Sequence, residues 1–179
     1  MTIVTSHMTF SLNLFLALPL VFAAGTVVLR AETANRPAAA RPAVEIQAHR
    51  GASYDAPENT LVSAKLAWKN RADAVELDIR PTKDNGLVVI HDADTKRTTG
   101  VAGKIEEMTL AQIQALDAGS WKGAKFAGEK IPTFDEFLAI IPEGGKLLVE
   151  LKSDERIVAG TKAAVDRSCL LYTSPSPRD

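Results

Sequence analysis

The stretch Ile46–Asp94, IQAHRGASYDAPENTLVSAKLAWKNRADAVELDIRPTKDNGLVVIHDAD, decides the fold. Three segments in and beside it are rich in apolar and β-branched residues, and each ends at a Gly, Pro, Asn or Asp signal. They predict strands at Val44–His49, Ala74–Ile79 and Leu87–His91. Between the first two, Thr60–Arg71 places its apolar residues on one helical face. A strand, a helix and a strand in this length indicate a βα unit, an α/β fold and a parallel sheet.

Side chains that can take part in catalysis or binding lie where these predicted strands end. His49 ends the first strand, Asp78 lies near the end of the second, and His91 ends the third. In parallel α/β sheets, binding and catalytic groups collect at the carboxyl ends of the strands. We therefore expect these residues to lie close together in a functional site.

Two acidic residues in one strand favour a bound cation. Glu76 and Asp78 are two positions apart inside the apolar run AVELDI, so both carboxylates point to the same side of the sheet. Two like charges held there repel each other and lose hydration unless a cation lies between them. A purely structural alternative pairs them with Arg71 or Arg80.

A later segment adds a third carboxylate to this group. KLLVELK, residues 146–152, predicts another strand with Glu150 and Lys152 on one face. Three carboxylates favour a hard divalent ion, Ca²⁺ or Mg²⁺, and no Cys/His spacing typical of zinc is present. In the purely structural alternative, Glu150 and Lys152 only flank the end of a strand and have no role in a site.

Together these motifs resemble the glycerophosphodiester phosphodiesterase family over roughly Ile46–Asp166. The motifs that carry the resemblance stand in the family's order: HRG at 49–51, PENT at 57–60, ELD at 76–78, HD at 91–92 and VELK at 149–152. The connecting text RTTG, LDAGSW and IPTFDEF is also similar to that family.

The resemblance implies a TIM-type (β/α)₈ barrel that hydrolyses glycerophosphodiesters to an alcohol and glycerol 3-phosphate. It assigns Glu76, Asp78 and Glu150 as metal ligands. It also implies a small-molecule phosphodiester as the partner, and it assigns four groups around that substrate: His49 and His91 as the acid/base pair, and Arg50 and Lys152 as groups near the phosphate. Glu58 is expected to orient Arg50 or a metal ligand from behind.

The chain divides into three parts. Residues 1–43 hold the long apolar run Phe10–Leu29 and an Ala/Pro-rich linker, which predict a secretory signal or an uncleaved membrane anchor. Either places the domain outside the cytoplasm, in the periplasm or beyond the cell. Residues 44–167 are expected to form the first half of the barrel domain, because they supply four strands where a whole barrel needs about 250 residues.

Residues 168–179 differ in character from what precedes them. From Cys169 they read CLLYTSPSPRD, which one frame of a common sequencing-library adapter encodes, and we interpret them as an adapter-derived artefact. The authentic part then contains no cysteine.

Composition limits the classes of function. The net charge is −1 over 179 residues, so no basic surplus for nucleic acid exists, and membrane contact is expected only through the N-terminal anchor. Two alternatives to the leading function stay open. One is a phospholipase D-like enzyme acting on lysophospholipid or sphingomyelin, and the other is an inactive fragment.

Overall fold

The computed structural model describes residues 26–30, 44–153, 155–168 and 171–172. Six strands form one sheet, and five α-helices connect or cover them. In chain order the elements are β1 (Thr26–Arg30), β2 (Gln47–His49), α1 (Leu61–Lys69), β3 (Ala74–Pro81), β4 (Leu87–Val89), α2 (Lys96–Thr99), α3 (Leu110–Gln114), α4 (Phe134–Leu138), β5 (Lys146–Leu151), α5 (Arg156–Ser168) and β6 (Leu171–Tyr172).

Strand β3 lies inside the sheet and is covered on both faces. Val75, Leu77 and Ile79 on one face are 0% exposed, and Ala74 and Asp78 on the other face are also 0% exposed. β3 pairs in parallel with β2 along one edge and with β5 along the other. Strands covered on both sides are typical of parallel sheets. The predicted α/β fold with a parallel sheet is therefore confirmed.

The third predicted strand runs in the opposite direction to that expected. β4 pairs with β3 antiparallel, with Ile79 opposite Val89 and Pro81 opposite Leu87. The expectation that His91 ends a parallel strand was therefore wrong. The reason is the short connection Thr82–Gly86, since a parallel crossover needs a dozen or more residues while a hairpin does not. The Thr82 N–H donates to the Gly86 carbonyl at 2.8 Å and closes the turn.

Strands β2 and β4 lie end to end along the same edge of β3. β2 pairs with residues 74–76 of β3, and β4 pairs with residues 79–81, while β5 occupies the opposite edge throughout. Because β2 is parallel and β4 antiparallel to β3, their carboxyl ends point toward each other. His49 and His91 thus approach one another beside Asp78, whose carbonyl accepts the Ile90 N–H at 2.9 Å.

Helices α3 and α4 begin at side-chain caps. Thr109 with Gln112 and Thr133 with Glu136 form capping boxes at α3 and α4. Helix α3 ends early, at Gln114. Asp117 causes this early end, because its carboxylate accepts the Gly119 and Ser120 N–H groups and folds the chain into a turn.

The main core lies between the sheet and three of the helices. Its buried helical residues are Ala64 and Ala67 of α1, Phe134, Phe137 and Leu138 of α4, and Ile157, Ala164 and Val165 of α5. This packing fixes β3 and β5 against their helices and leaves the loops after the strands to form the site.

The remaining edge of β5 carries an antiparallel strand from the N-terminal part of the chain. β1 pairs with β5 from Thr26 opposite Glu150 to Arg30 opposite Lys146, and β6 pairs with β1. Apart from β1, the predicted signal or anchor segment and linker lie outside the described residues, as does most of 168–179. Within the described ranges, no helix has the length and apolar character needed to cross a membrane.

Candidate active site

Three carboxylates converge at the ends of β3 and β5. Glu76, Asp78 and Glu150 each offer one oxygen, and these oxygens all lie within 4.8 Å of one another. The convergence follows from sheet register, because Asp78 lies directly opposite Glu150 and Glu76 precedes Asp78 by two residues on the same face. The structure thus brings together the three predicted metal ligands.

Asp78 is the most enclosed member of this acidic triad, with 0% of its surface exposed. Its Oδ2 accepts a hydrogen bond from Asn59 Nδ2 at 2.9 Å and lies 3.4 Å from Arg50 Nε. Its Oδ1 accepts no hydrogen bond, although Lys152 Nζ lies 3.3 Å away. A buried carboxylate oxygen without a hydrogen bond is uncommon and calls for a ligand or an ion.

The charges of the site favour a divalent cation. Burial, followed by the nearby Asp78 carboxylate, raises the pKa of Glu76 to about 7. Such a rise means that burial and the neighbouring carboxylate disfavour the ionised form of Glu76, which a bound cation would favour. Oxygen-only donors are those that Ca²⁺ and Mg²⁺ prefer. The triad therefore fits a divalent metal ion.

The two predicted acid/base histidines stand in different surroundings. His49 is exposed, with its Nε2 at 3.8 Å from Glu76 Oε2. Loss of hydration, followed by the charge of Arg50, lowers the pKa of His49, which favours its neutral imidazole.

The second histidine is held by a neighbouring carboxylate. His91 Nδ1 lies 2.7 Å from Asp92 Oδ1. Hydrogen bonds from Arg97, and then from His91, hold the pKa of Asp92 at about 2, so this carboxylate is ionised and can only accept. The proton of the imidazole therefore sits on Nδ1, and Nε2 is the nitrogen left for substrate.

The predicted phosphate-binding groups lie on either side of Asp78. Lys152 follows β5 and contacts both Glu150 at 2.6 Å and Asp78. Arg50 follows β2, with its Nη1 2.9 Å from Glu58 Oε1, and its backbone N–H donates to Glu76 at 2.9 Å. The structure places Glu58 behind Arg50, in contact with it, and not against the acidic triad.

Arg80, which the structural alternative paired with Glu76 and Asp78, instead donates from its guanidinium to the backbone carbonyls of His91 and Lys152 at 2.9 and 3.0 Å, so it fixes the chain at two strand ends. Three further residues of the site were missed by sequence reasoning: Asn59, Asp92 and Arg97. The polar tetrad PENT and the charged residues after His91 were the available signals.

Gly51 fixes the turn that carries His49 and Arg50. Its φ is +78°, and a Cβ there would lie 2.8 Å from the Ser63 carbonyl carbon and 2.9 Å from the Ala64 nitrogen on α1. We expect Gly51→Ala to lower the free energy of unfolding by about 2–5 kcal/mol, from left-handed strain and from overpacking against backbone. Urea unfolding monitored by circular dichroism measures the change.

Gly100→Ala is the matched control, because Gly100 has a similar φ of +76° and no atom within 4 Å of the added Cβ. Only the conformational strain applies there, at about 1–2 kcal/mol. Equal losses in the two variants would contradict the steric explanation at Gly51.

The fold and the site together define a class of protein. An α/β sheet carries at its strand ends a three-carboxylate cation site, two imidazoles and two basic side chains. Carboxylates that hold a divalent ion, beside groups that bind anions and transfer protons, are typical of hydrolases acting on phosphate esters.

Comparison with known proteins agrees with this class and names the family. Residues 49–176 match the model of the glycerophosphoryl diester phosphodiesterase family, so the chain belongs to that family. A glycerophosphodiester phosphodiesterase of Caldanaerobacter subterraneus subsp. tengcongensis is 48% identical over 107 residues, which are 59% of this chain and 44% of that protein.

Two solved structures match the fold with a TM-score of 0.66. One is a glycerophosphodiester phosphodiesterase of Agrobacterium tumefaciens, 38% identical, covering 70% of this chain and 53% of that one. The other is an Oleispira antarctica phosphodiesterase in complex with the product sn-glycerol-3-phosphate, 37% identical with the same coverage. This chain spans about half the length of these relatives. The fold is thus part of a TIM-type barrel, as expected.

Proposed function

We propose that the whole protein hydrolyses glycerophosphodiesters to an alcohol and glycerol 3-phosphate, with the help of a divalent cation. The observation that carries the proposal is the acidic triad with an unsatisfied, buried Asp78 oxygen, flanked by two histidines and two basic side chains. The product complex of the Oleispira relative supports the choice of substrate class.

Glu76, Asp78 and Glu150 would hold the cation. When bound, it supplies positive charge that offsets the phosphodiester's own charge and the charge that develops on the phosphoryl oxygens. We propose Ca²⁺ or Mg²⁺ because every ligand atom is a carboxylate oxygen.

Arg50 and Lys152 bind and orient the phosphate. Arg50 is 18% and Lys152 20% exposed in its side chain, so each retains a face toward solvent while it contacts Asp78. Arg50 and Lys152 are each held by carboxylates on one side and can interact strongly with the substrate phosphate on the other. The interaction is strong because charges in a partly buried site are weakly screened. Arg50 also donates a hydrogen bond to Glu58, which limits the directions in which its guanidinium can point.

The two histidines divide the proton transfers. His49 serves as the base that takes a proton from the attacking oxygen, because its lowered pKa favours the neutral imidazole, which can accept a proton. His91 serves as the acid, since Asp92 holds its Nδ1 at 2.7 Å and leaves Nε2 as the atom that passes a proton to the departing alkoxide oxygen. The pair faces one gap because β2 and β4 point toward each other.

The direct test is release of glycerol 3-phosphate from glycerophosphocholine by the full-length protein. We expect turnover, its loss in EDTA, and its recovery on adding Ca²⁺ or Mg²⁺, with the more effective ion naming the native metal. Unchanged turnover after exhaustive chelation would refute the metal site. No release of glycerol 3-phosphate from any glycerophosphodiester, with the ion present, would refute the function.

The same assay separates the alternatives. A protein that cleaves micellar lysophospholipid or sphingomyelin faster than the water-soluble diester would be the phospholipase D-like enzyme.

We further propose that the domain functions outside the cytoplasm, because residues 10–29 form a long apolar run. Fractionation of cells that express the full-length protein tests this location.

A further inference from the structure

Arg97 joins two carboxylates that belong to opposite sides of the site. It lies on the short helix α2, which follows His91 in the chain. Its Nε donates to Asp92 Oδ2 at 2.6 Å, while its two terminal nitrogens donate to Glu58 at 2.9 and 2.7 Å. Nη2 also reaches Asp92 Oδ1 at 3.3 Å. The guanidinium thus forms a two-pronged contact with each carboxylate.

Each of these carboxylates holds one of the predicted functional groups. Glu58, in the loop between β2 and α1, also accepts from Arg50 at 2.9 Å. Asp92, after β4, lies against His91 Nδ1 at 2.7 Å. A continuous chain of side-chain hydrogen bonds therefore runs from Arg50 through Glu58, Arg97 and Asp92 to His91.

The line crosses between two segments that are far apart in the chain. Glu58 and Arg97 are 39 residues apart, and their contact ties the loop after β2 to the segment after β4. Without Arg97, each of the two carboxylates would lose its two-pronged contact, and the charge between them that offsets their repulsion would be gone. Glu58 and Asp92 would then hold Arg50 and His91 less firmly.

Arg97 has few hydrogen-bond donors left for the substrate. Four of the five N–H positions that a guanidinium offers are accounted for by its four contacts with Glu58 and Asp92. A lysine cannot reproduce these contacts, because an ammonium lacks the planar fork that binds a carboxylate with two parallel hydrogen bonds.

We propose that Arg97 is a positioning residue that fixes Arg50, the phosphate-binding group, relative to His91, the proposed acid. The inference rests on the proposed function, since it concerns the geometry of that reaction. Arg97 acts only through Glu58 and Asp92.

The experiment compares Arg97→Ala, Arg97→Lys and the control Lys96→Ala in the full-length protein with its divalent ion. Lys96 neighbours Arg97 on α2 and is exposed, and it has no place in the site. For the cleavage of glycerophosphocholine, we expect kcat to fall about 10- to 100-fold in both Arg97 variants and not in the control. The lysine variant should not recover activity.

A second substrate gives a readout that a structural role would not move. In an aryl glycerophosphodiester the leaving phenoxide needs little protonation, so the positioning of His91 matters less and the Arg97 defect should shrink several-fold. Metal-induced stabilisation should be unchanged in both variants, which shows that the acidic triad is intact.

Three outcomes would overturn the inference. These are wild-type kcat in Arg97→Ala, full recovery in Arg97→Lys, and an equal defect on both substrates. Failure of the proposed function looks different, because the wild-type protein would then cleave neither diester.

Discussion

Asp78→Asn is expected to lower kcat/KM for a glycerophosphodiester about a thousandfold and to remove the response to Ca²⁺ or Mg²⁺. Asp78 is 0% exposed, and its Oδ1 accepts no hydrogen bond. An asparagine keeps the shape but removes one negative charge from the triad, and it can turn an NH₂ group toward the cation. Losing several kcal/mol of charge stabilisation in the transition state corresponds to about three powers of ten in rate.

The binding defect can be measured without turnover. A ligand that binds only the folded state raises the melting temperature. The wild-type protein should therefore melt at a higher temperature with millimolar Ca²⁺ or Mg²⁺ than with EDTA, whereas Asp78→Asn should melt at the same temperature in both. The control Asp166→Asn removes an exposed acid on α5 that pairs with Lys162, and it should keep the full metal response. A normal metal response in Asp78→Asn would contradict the cation site.

The two histidines are expected to fail in different ways. His49→Ala and His91→Ala should each lower kcat on an alkyl diester by about 10²- to 10⁴-fold, the usual contribution of a positioned acid or base. On the aryl diester, His91→Ala should approach the wild-type rate, because the phenoxide leaves without a proton. His49→Ala should stay impaired on both substrates, since the attacking oxygen must lose its proton in either case.

The assignment of acid and base depends on this contrast. If His49→Ala, and not His91→Ala, is rescued by the aryl leaving group, the two roles are reversed. If neither variant loses activity on the alkyl diester, the histidines take no part in the chemistry. The metal-dependent rise in melting temperature serves as the control for folding, because neither imidazole is among the three carboxylate ligands.

The acidic triad could be anticipated from the sequence because strand geometry is simple. The period of two places Glu76 and Asp78 on one face, and the same rule applies to Glu150 and Lys152. Once β3 and β5 pair in parallel, these side chains meet. The capping boxes could also be anticipated, since they depend only on residues three apart.

The network around Arg97 could not be anticipated in this way. Glu58 and Asp92 lie in irregular segments and Arg97 in a helix of four residues, so no sequence periodicity fixes the directions of these side chains. Their meeting depends on how the loop after β2 and the helix α2 pack across the site, which is a tertiary property. Asn59 was missed for a related reason: its φ of +57° turns the side chain toward Asp78 from a loop.

The direction of β4 was a different kind of error, since the sequence did contain the answer. Five residues connect β3 to β4, and TKDNG is rich in turn formers. A connection of this length is long enough for a hairpin and too short for a parallel crossover, so it predicts an antiparallel β4.

The head-on meeting of β2 and β4 has a consequence for how such a site can vary during evolution. Residues on the parallel strands are tied to the register of the whole sheet, so a length change there would disturb every neighbour. His91 instead follows a hairpin arm whose tip, Thr82–Gly86, is closed by its own turn and contacts the start of α3 through two hydrogen bonds, from Lys83 N–H to the Met108 carbonyl and from Leu110 N–H to Asp84 Oδ1. Insertions of whole two-residue steps at that tip would lengthen the arm while His91 kept its face, whereas a single-residue slip would turn it away. The length of the hairpin can thus change, provided that the number of residues added keeps His91 on the same face of the sheet.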